Sequence, residues 1–446
     1  MAKSISAESL KNFQHDLHSQ AKHRVIGRTV AKNGILASSY DLDAVTDDLN
    51  RTFSIDLNVG KVADQKRSGR CWMFAALNTM RHAMKAKFNL EPDFELSQNY
   101  TFFWDKLEKA NYFYENVLKT ADLPTSDRKV SWLMTTPQQD GGQWDMMMGI
   151  IEKYGVVPKS VMPETYNSSS SSEFNATLNL KLRKDAVELR ELVSSKAGAD
   201  EIQTVKNRML TEVYRILTYS FGEPPAKFDF EYRDKDKNYH IDRDITPKEF
   251  FDKYIGWNLE DYVSIINAPT ADKPYNHLYT IDMLGNIVGG RQIRHLNVDM
   301  KTFREIAIKQ LQSGESVWFG SDVGKSSDRK KGIMDTRLYN EDELFDVDLS
   351  MSKAERLDYG QSLMTHAMVL TGVDLVDGQP TKWKVENSWG DKVGDKGFFV
   401  MSDDWMEEYC YQVVVNKKFL PEELQKVFET EEPKVLAPWD PMGALA

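Results

Sequence analysis

Helix-like patterning fills most of the chain up to residue 254, whereas short apolar segments that read as strands gather from Ile281 onward. This segregation constrains the fold strongly. Helices first and strands last favour an α+β architecture over an alternating parallel sheet. Met73, Leu77, Met80, Met84 and Phe88 recur at three- and four-residue spacing and make one buried helical stripe. A second, aromatic-rich helix is expected to start near Ser97, beyond the break at Pro92. Asp140-Gly-Gly-Gln-Trp-Asp145 reads as a glycine-rich loop feeding a helix over Trp144–Tyr154, which Gly155 and Pro158 stop. Thr246-Pro-Lys-Glu249 is a capping box with proline at the first helical position, opening a helix through Tyr254. Residues 228–245 read as a charged hairpin. Residues 317–319, 367–370, 382–385, 398–401 and 412–415 read as strands between turn residues. The serine run at 168–172 is the best candidate boundary, and no internal repeat is present.

The chain has 446 residues and only two cysteines, Cys71 and Cys410. A secreted protein of this size stapled by disulfides carries more, so a reducing cytosol is the expected compartment. The first ten residues lack the apolar stretch of a secretory signal, and no apolar run reaches the ~18 residues of a membrane span. A net charge of −11 argues against a generally basic nucleic-acid binder.

A lone cysteine is usually a small buried hydrophobe. Cys71, however, sits at the first turn of the strongest helical pattern, where unpaired N–H groups and the helix dipole stabilise a thiolate. Arg67 and Arg70 are near enough in sequence to assist. A nucleophile of this kind needs a base, a group to orient that base, and donors for the oxyanion. Gln65 precedes the cysteine closely enough for its amide to reach the same site. His366 opens an apolar strand, and Asn387 ends the next one in Glu386-Asn-Ser-Trp-Gly390, so neighbouring strand ends would bring the two together. Taken singly, His366 could be a core histidine and Asn387 a turn residue; order and spacing favour the joint reading.

Gln-x5-Cys-Trp, then His-Ala, then Asn-Ser-Trp-Gly, in that order, resembles the papain superfamily. The resemblance implies a papain-like fold in which Cys71 attacks the carbonyl as the thiolate of an ion pair with His366. Gln65 and the Cys71 N–H would hold the oxyanion, Asn387 would orient the imidazole, and Trp389 would shield that bond. Gly141 and Gly142 would form the cleft edge, Ala367 would line the substrate site, and residues 317–323 would line the specificity pocket. The context Ser-Gly-Arg-Cys71-Trp lacks the usual preceding cysteine. His366 also follows Cys71 at about twice the papain spacing of roughly 130–150 residues, which calls for a long insertion.

Those departures, with Ser68-Gly-Arg-Cys-Trp-Met-Phe74 and the ending Pro438-Trp-Asp-Pro-Met-Gly-Ala-Leu-Ala446, resemble the bleomycin hydrolase and bacterial aminopeptidase C family across practically the whole chain. The resemblance implies an N-terminal extension (1–60), the helical half of the core (61–167), a mostly helical oligomerisation insert (168–297), the β half (298–430) and a C-terminal arm (431–446). It implies a homohexamer and broad removal of N-terminal residues from peptides, with bleomycin-type amide hydrolysis as a side activity and no metal or cofactor. The arm would lie in the cleft and offer the Ala446 carboxylate to a substrate's N-terminal ammonium. Two unit charges about 4 Å apart are worth roughly 1 kcal/mol in water and about 4 kcal/mol at an effective dielectric near 20. That suffices to select free N-termini.

Weaker signals resolve to ordinary roles. Gly320-Ser-Asp-Val-Gly324-Lys-Ser has too few residues between its glycines for a phosphate loop. His15, His18 and His23 read as a solvated helix face, and Cys410 as packing. The basic segments 181–184 and 329–331 adjoin aspartates and read as solvated surface, with nucleic-acid binding through a basic channel as the rival.

Overall fold

The computed structural model describes residues 4–445. The expected helices form with the expected limits. Cys71–Phe88 buries Met73, Leu77, Met80 and Met84, with Phe88 half-buried, and a left-handed Asn89 ends it. The aromatic helix runs Gln98–Lys119 with Ser97 as its cap, and Trp144–Tyr154 ends at Gly155. Pro247–Tyr254 opens on the full Thr246/Glu249 capping box.

Two long helices, Ser172–Ser194 and Ala199–Phe221, lie against Gln98–Lys119. Leu178, Leu182, Leu189, Met209, Val213 and Leu217 share one apolar core with Trp72 and Phe103. Tyr114 donates a 2.5 Å hydrogen bond to Asp185 across that contact. The serine run is built into this core: Ser168 and Ser171 are buried, and Ser168 Oγ donates to Glu164 at 2.6 Å.

The sheet starts earlier than the sequence suggests. Its strands include Tyr262–Ile266, His277–Ile281 and His295–Asn297, all within the 168–297 insert, whose larger share of regular structure is helical. The reason is burial. A five-residue strand whose every residue is buried shows no alternation and cannot be told from a buried helical segment by period. From Tyr262–Ile266 the sheet continues through Cys410–Asn416, Val317–Ser321, His366–Val376, Gln379–Glu386 and Phe398–Ser402, all paired antiparallel. The 228–245 hairpin stands apart as a two-stranded unit.

Both faces of this sheet are covered. Trp318, Val369 and Val414 turn towards the Cys71 helix, while Val317, Phe319, Met368, Leu370, Val413 and Val415 pack with the Met300–Gln312 helix. The Cys71 helix is thereby sandwiched between the helical layer and the sheet, and Trp318 Nε1 donates to the Trp72 carbonyl at 3.2 Å.

Candidate active site

Cys71 is the first residue of its helix and is buried. Its sulfur meets the backbone N–H groups of Ala367, of Trp72 and of Cys71 itself. The Ala367 contact sets the thiol beside His366, which begins the strand His366–Val376. Two strips of backbone join the helical half to the sheet here. Gln65 N–H donates to the Ser388 carbonyl at 2.8 Å, and Gly390 N–H donates to the Ala63 carbonyl at 3.0 Å. Gln65 is thus carried to the Asn387–Gly390 turn. Its side-chain amide donates to the Ser68 carbonyl at 2.6 Å and accepts from Ser388 Oγ at 2.5 Å. One N–H of Nε2 remains for a further acceptor.

The hydrogen bonds fix the proton on His366. Ser388 N–H can only donate, and it lies 2.7 Å from Asn387 Oδ1, which orients the amide. His366 Nε2 lies 2.9 Å from the same oxygen, so Nε2 carries the proton and Nδ1 is left bare as a base. Trp389 covers this pair, its ring centroid 4.9 Å from that of His366, and Arg329 stacks on Trp389 at 4.3 Å.

Burial pushes the Cys71 thiol up to about 11, against the lowering effect of the three N–H groups. Burial likewise pushes His366 down to about 4, with Arg329 acting in the same direction and the bond to Asn387 opposing it. Each shift is the penalty for charging one group alone. Moving a single proton from sulfur to Nδ1 charges both together, leaves the net charge at zero and lets each new charge meet the other.

Of the two arginines expected to assist the thiolate, Arg70 does not. Its fully buried guanidinium forms a two-pronged pair with Glu164, at 3.1 and 2.8 Å, and sits between Phe74 and Phe102. A cation neutralised in this way adds little field at the sulfur. Arg67 is exposed.

Gly141 and Gly142 are buried beside the nucleophile. A Cβ on Gly142 would lie 2.5 Å from the Trp72 ring, so only glycine fits. Trp72 Nε1 donates to the Asp140 carbonyl at 2.7 Å, and the Asp140 carboxylate accepts from Gly69 N–H at 3.0 Å. Asp140 and its buried partner Lys106 escape a sequence reading. An aspartate before two glycines looks like a turn residue, and a lysine inside a helix looks solvated.

The end of the chain folds onto this edge. Lys434–Leu436 pairs parallel with His277–Ile281, Asp440 pairs with Lys273 at 3.1 Å, and Met442 is buried. The Ala444 carbonyl then accepts from Gln143 Nε2 at 2.6 Å, one residue beyond Gly142. A cavity of about 430 Å³ lies along the arm, lined by Phe113, Trp132, Met146, Leu363 and Leu445 among others. Ala446 lies outside the described residues. Among the described residues, no cluster of three or more His, Cys, Asp or Glu is placed to hold a metal ion, and no helix is long and apolar enough to cross a membrane. Cys410 is buried against Met401.

The chain is similar to known proteins along practically its whole length. The Peptidase C1-like family pattern matches residues 4–443. Aminopeptidase C of Lactobacillus helveticus is 57% identical, with 100% of this chain and 99% of that protein covered. Aminopeptidase C of Listeria monocytogenes is 50% identical over 100% of both chains. The crystal structure of PepW from Lactobacillus rhamnosis superposes with a TM-score of 0.98 at 65% identity, covering 100% of each chain.

Proposed function

Since the chain belongs to the Peptidase C1-like family of cysteine peptidases, we propose that it is an aminopeptidase that removes N-terminal residues from peptides through Cys71. The observation that carries this reading is the arm seated at Gln143, on the same edge as the thiol–imidazole pair. Cys71 passes its proton to His366 Nδ1 as sulfur bonds to the carbonyl carbon of the scissile peptide. The oxyanion takes hydrogen bonds from the Cys71 N–H and the free N–H of Gln65. The C–N bond then breaks, and Nδ1 returns the proton to the leaving amine. Water, deprotonated by the same nitrogen, cleaves the thioester and releases the N-terminal residue. Asn387 holds the ring, and Trp389 keeps water from that bond. Gly141, Gly142 and Ala367 flank the substrate backbone, and the Ala446 carboxylate meets its ammonium. The names of the related aminopeptidases support this activity. Broad side-chain tolerance, bleomycin-type hydrolysis as a side activity, a cytoplasmic setting and self-association as a homohexamer belong to the same proposal.

The test is hydrolysis of a free-amine aminoacyl fluorogenic substrate beside its N-acetylated twin, with wild type and Cys71→Ala. Cleavage of the free amine alone, abolished in Cys71→Ala, is the expected result. Equal cleavage of both substrates by the wild type would reject the arm as selector while keeping the thiol chemistry.

A further inference from the structure

The chemistry assigned to the site does not use the ion pair buried beneath it. Lys106 is fully buried in the Gln98–Lys119 helix and donates to Asp140 Oδ1 at 2.8 Å, to Asn175 Oδ1 at 3.0 Å and to Gln138 Oε1. Asp140 Oδ1 also accepts from Asn175 Nδ2 at 2.7 Å. The other oxygen, Oδ2, accepts from Gly69 N–H at 3.0 Å and from Ser171 Oγ. Asp140 therefore holds residues on both sides of Cys71, the Gly69 backbone N–H through its carboxylate and the Trp72 indole N–H through its carbonyl. A Cβ on Gly69 would lie 3.0 Å from Asp140 Cβ, so the approach is as close as glycine allows. One helical turn on, Lys109 grips the carbonyls of Gln139 and Gly141 at 2.9 and 2.7 Å and pairs with Asp105 at 2.7 Å.

We infer that Asp140, countered by Lys106, is a positioning residue that fixes the turn ahead of the nucleophile and the glycine edge of the cleft as one unit. This rests on Cys71 being the nucleophile. Lys106 and Gly69 N–H are obligate donors lying on opposite oxygens of one side chain. A carboxylate satisfies both, whereas an amide must turn its NH2 towards one of them. The position therefore calls for an acid, even though its charge opposes a thiolate on Cys71. Burial alone would raise the Asp140 carboxyl, but Lys106, Ser171 and Gly69 N–H outweigh it and hold the group far below the usual carboxylate range. Burial in turn lowers Lys106 to about 8. The other charged groups around the pair are closed on partners of their own, Lys109 on Asp105 and Arg70 on Glu164, while Arg329 stacks on Trp389 and acts on His366.

Two readouts on the full-length protein test this: steady-state kinetics, and the pH dependence of iodoacetamide alkylation mapped to Cys71. Asp140→Asn strands one donor and removes an anion near the sulfur. We expect kcat to fall by about 100-fold with KM within about threefold, and the alkylation midpoint to move to lower pH. Adding Lys106→Met frees the amide to serve Gly69 and should restore about tenfold of kcat, a rescue that general loss of stability would not give. Asp140→Asn with wild-type kcat and an unmoved midpoint would overturn the assignment. So would a defect confined to the melting temperature. If Asp140→Asn does not fold, Gly69→Ala attacks the same grip from the other side, and wild-type kcat there would equally overturn it. Activity that survives Cys71→Ala would instead locate the failure in the nucleophile reading.

Discussion

Asn387 settles the protonation of the candidate base through one backbone N–H. Ser388 forces Oδ1 inward, Oδ1 forces the proton onto Nε2, and Nδ1 is left to take the thiol proton. The active state then holds one proton between Cys71 and His366, and acid inactivates it by adding a second. Burial opposes that second proton, and so does the Arg329 cation stacked on Trp389. A nearby cation disfavours an imidazolium, so the acid limb of kcat/KM should lie below the ordinary imidazole value of 6.5. Arg329→Gln should move that limb to higher pH, by a fraction of a unit because Arg329 is exposed and solvent screens it. A pH profile that stays put or shifts the other way would show that Arg329 does not act on the pair. Cys71, His366 and Asn387 were legible in the sequence because each stands inside a short local motif. Arg329, Asp140 and Lys106 were not, because what defines them is a partner far away in the chain.

Among elements, the helices were legible to within a residue or so, since their period, caps and stops are local. The charged hairpin at 228–245 was legible too, but the strands Tyr262–Ile266 and His295–Asn297 were not, being short and wholly buried. Nor was the clasp between the Cys71 helix and the strand Gln379–Glu386. Arg81 donates to Glu386 Oε1 at 2.8 Å, and His82 Nε2 lies 2.8 Å from Oε2, all three side chains being buried. Glu386 directly precedes Asn387, so the clasp sets the nucleophile's helix against the residue that orients the base. Burial alone would raise the Glu386 carboxyl, but His82 and Arg81 outweigh it and hold it below its ordinary 4.5. A depressed carboxyl contributes stability above the unfolded value and loses it as pH falls through the folded one. Glu386→Gln leaves Arg81 buried without its counter-charge, at a cost of about 3–5 kcal/mol. Thermal unfolding should show that deficit at pH 7 and a narrowing gap to wild type below about pH 4.5. A gap that persists unchanged into acid would mean that the clasp works by shape rather than charge.

For the whole molecule, the proposed exopeptidase selectivity rests on how the arm is held. The arm is tied down progressively, by its strand pairing at 434–436, by Asp440 on Lys273, by Trp439 beneath Arg128 and by buried Met442, before Ala444 reaches Gln143. Those anchors precede the last three residues, and Ala444 and Leu445 are only half-buried, so trimming the tip should cost little stability. The resemblance supplied an arm in the cleft; its anchoring depends on pairings across more than a hundred residues and could not be read from the sequence. Ending the chain at Gly443 would remove Ala444 and Leu445 and draw the terminal carboxylate back from Gln143. It would also open the adjoining cavity of about 430 Å³, with Phe113, Trp132 and Leu363 on its walls, to the cleft. Such a chain has room for residues on the N-terminal side of the scissile bond and apolar walls to hold them. It should cleave N-acetylated peptides with a large apolar residue before the cut at a rate within about tenfold of the wild type on free-amine substrates. On the proposed role of the arm, its KM for the free amines should rise. The measurement is the ratio of kcat/KM for acetylated and free peptides in both forms. A ratio unchanged by truncation would assign exopeptidase selectivity to the walls of the cleft instead of to the arm.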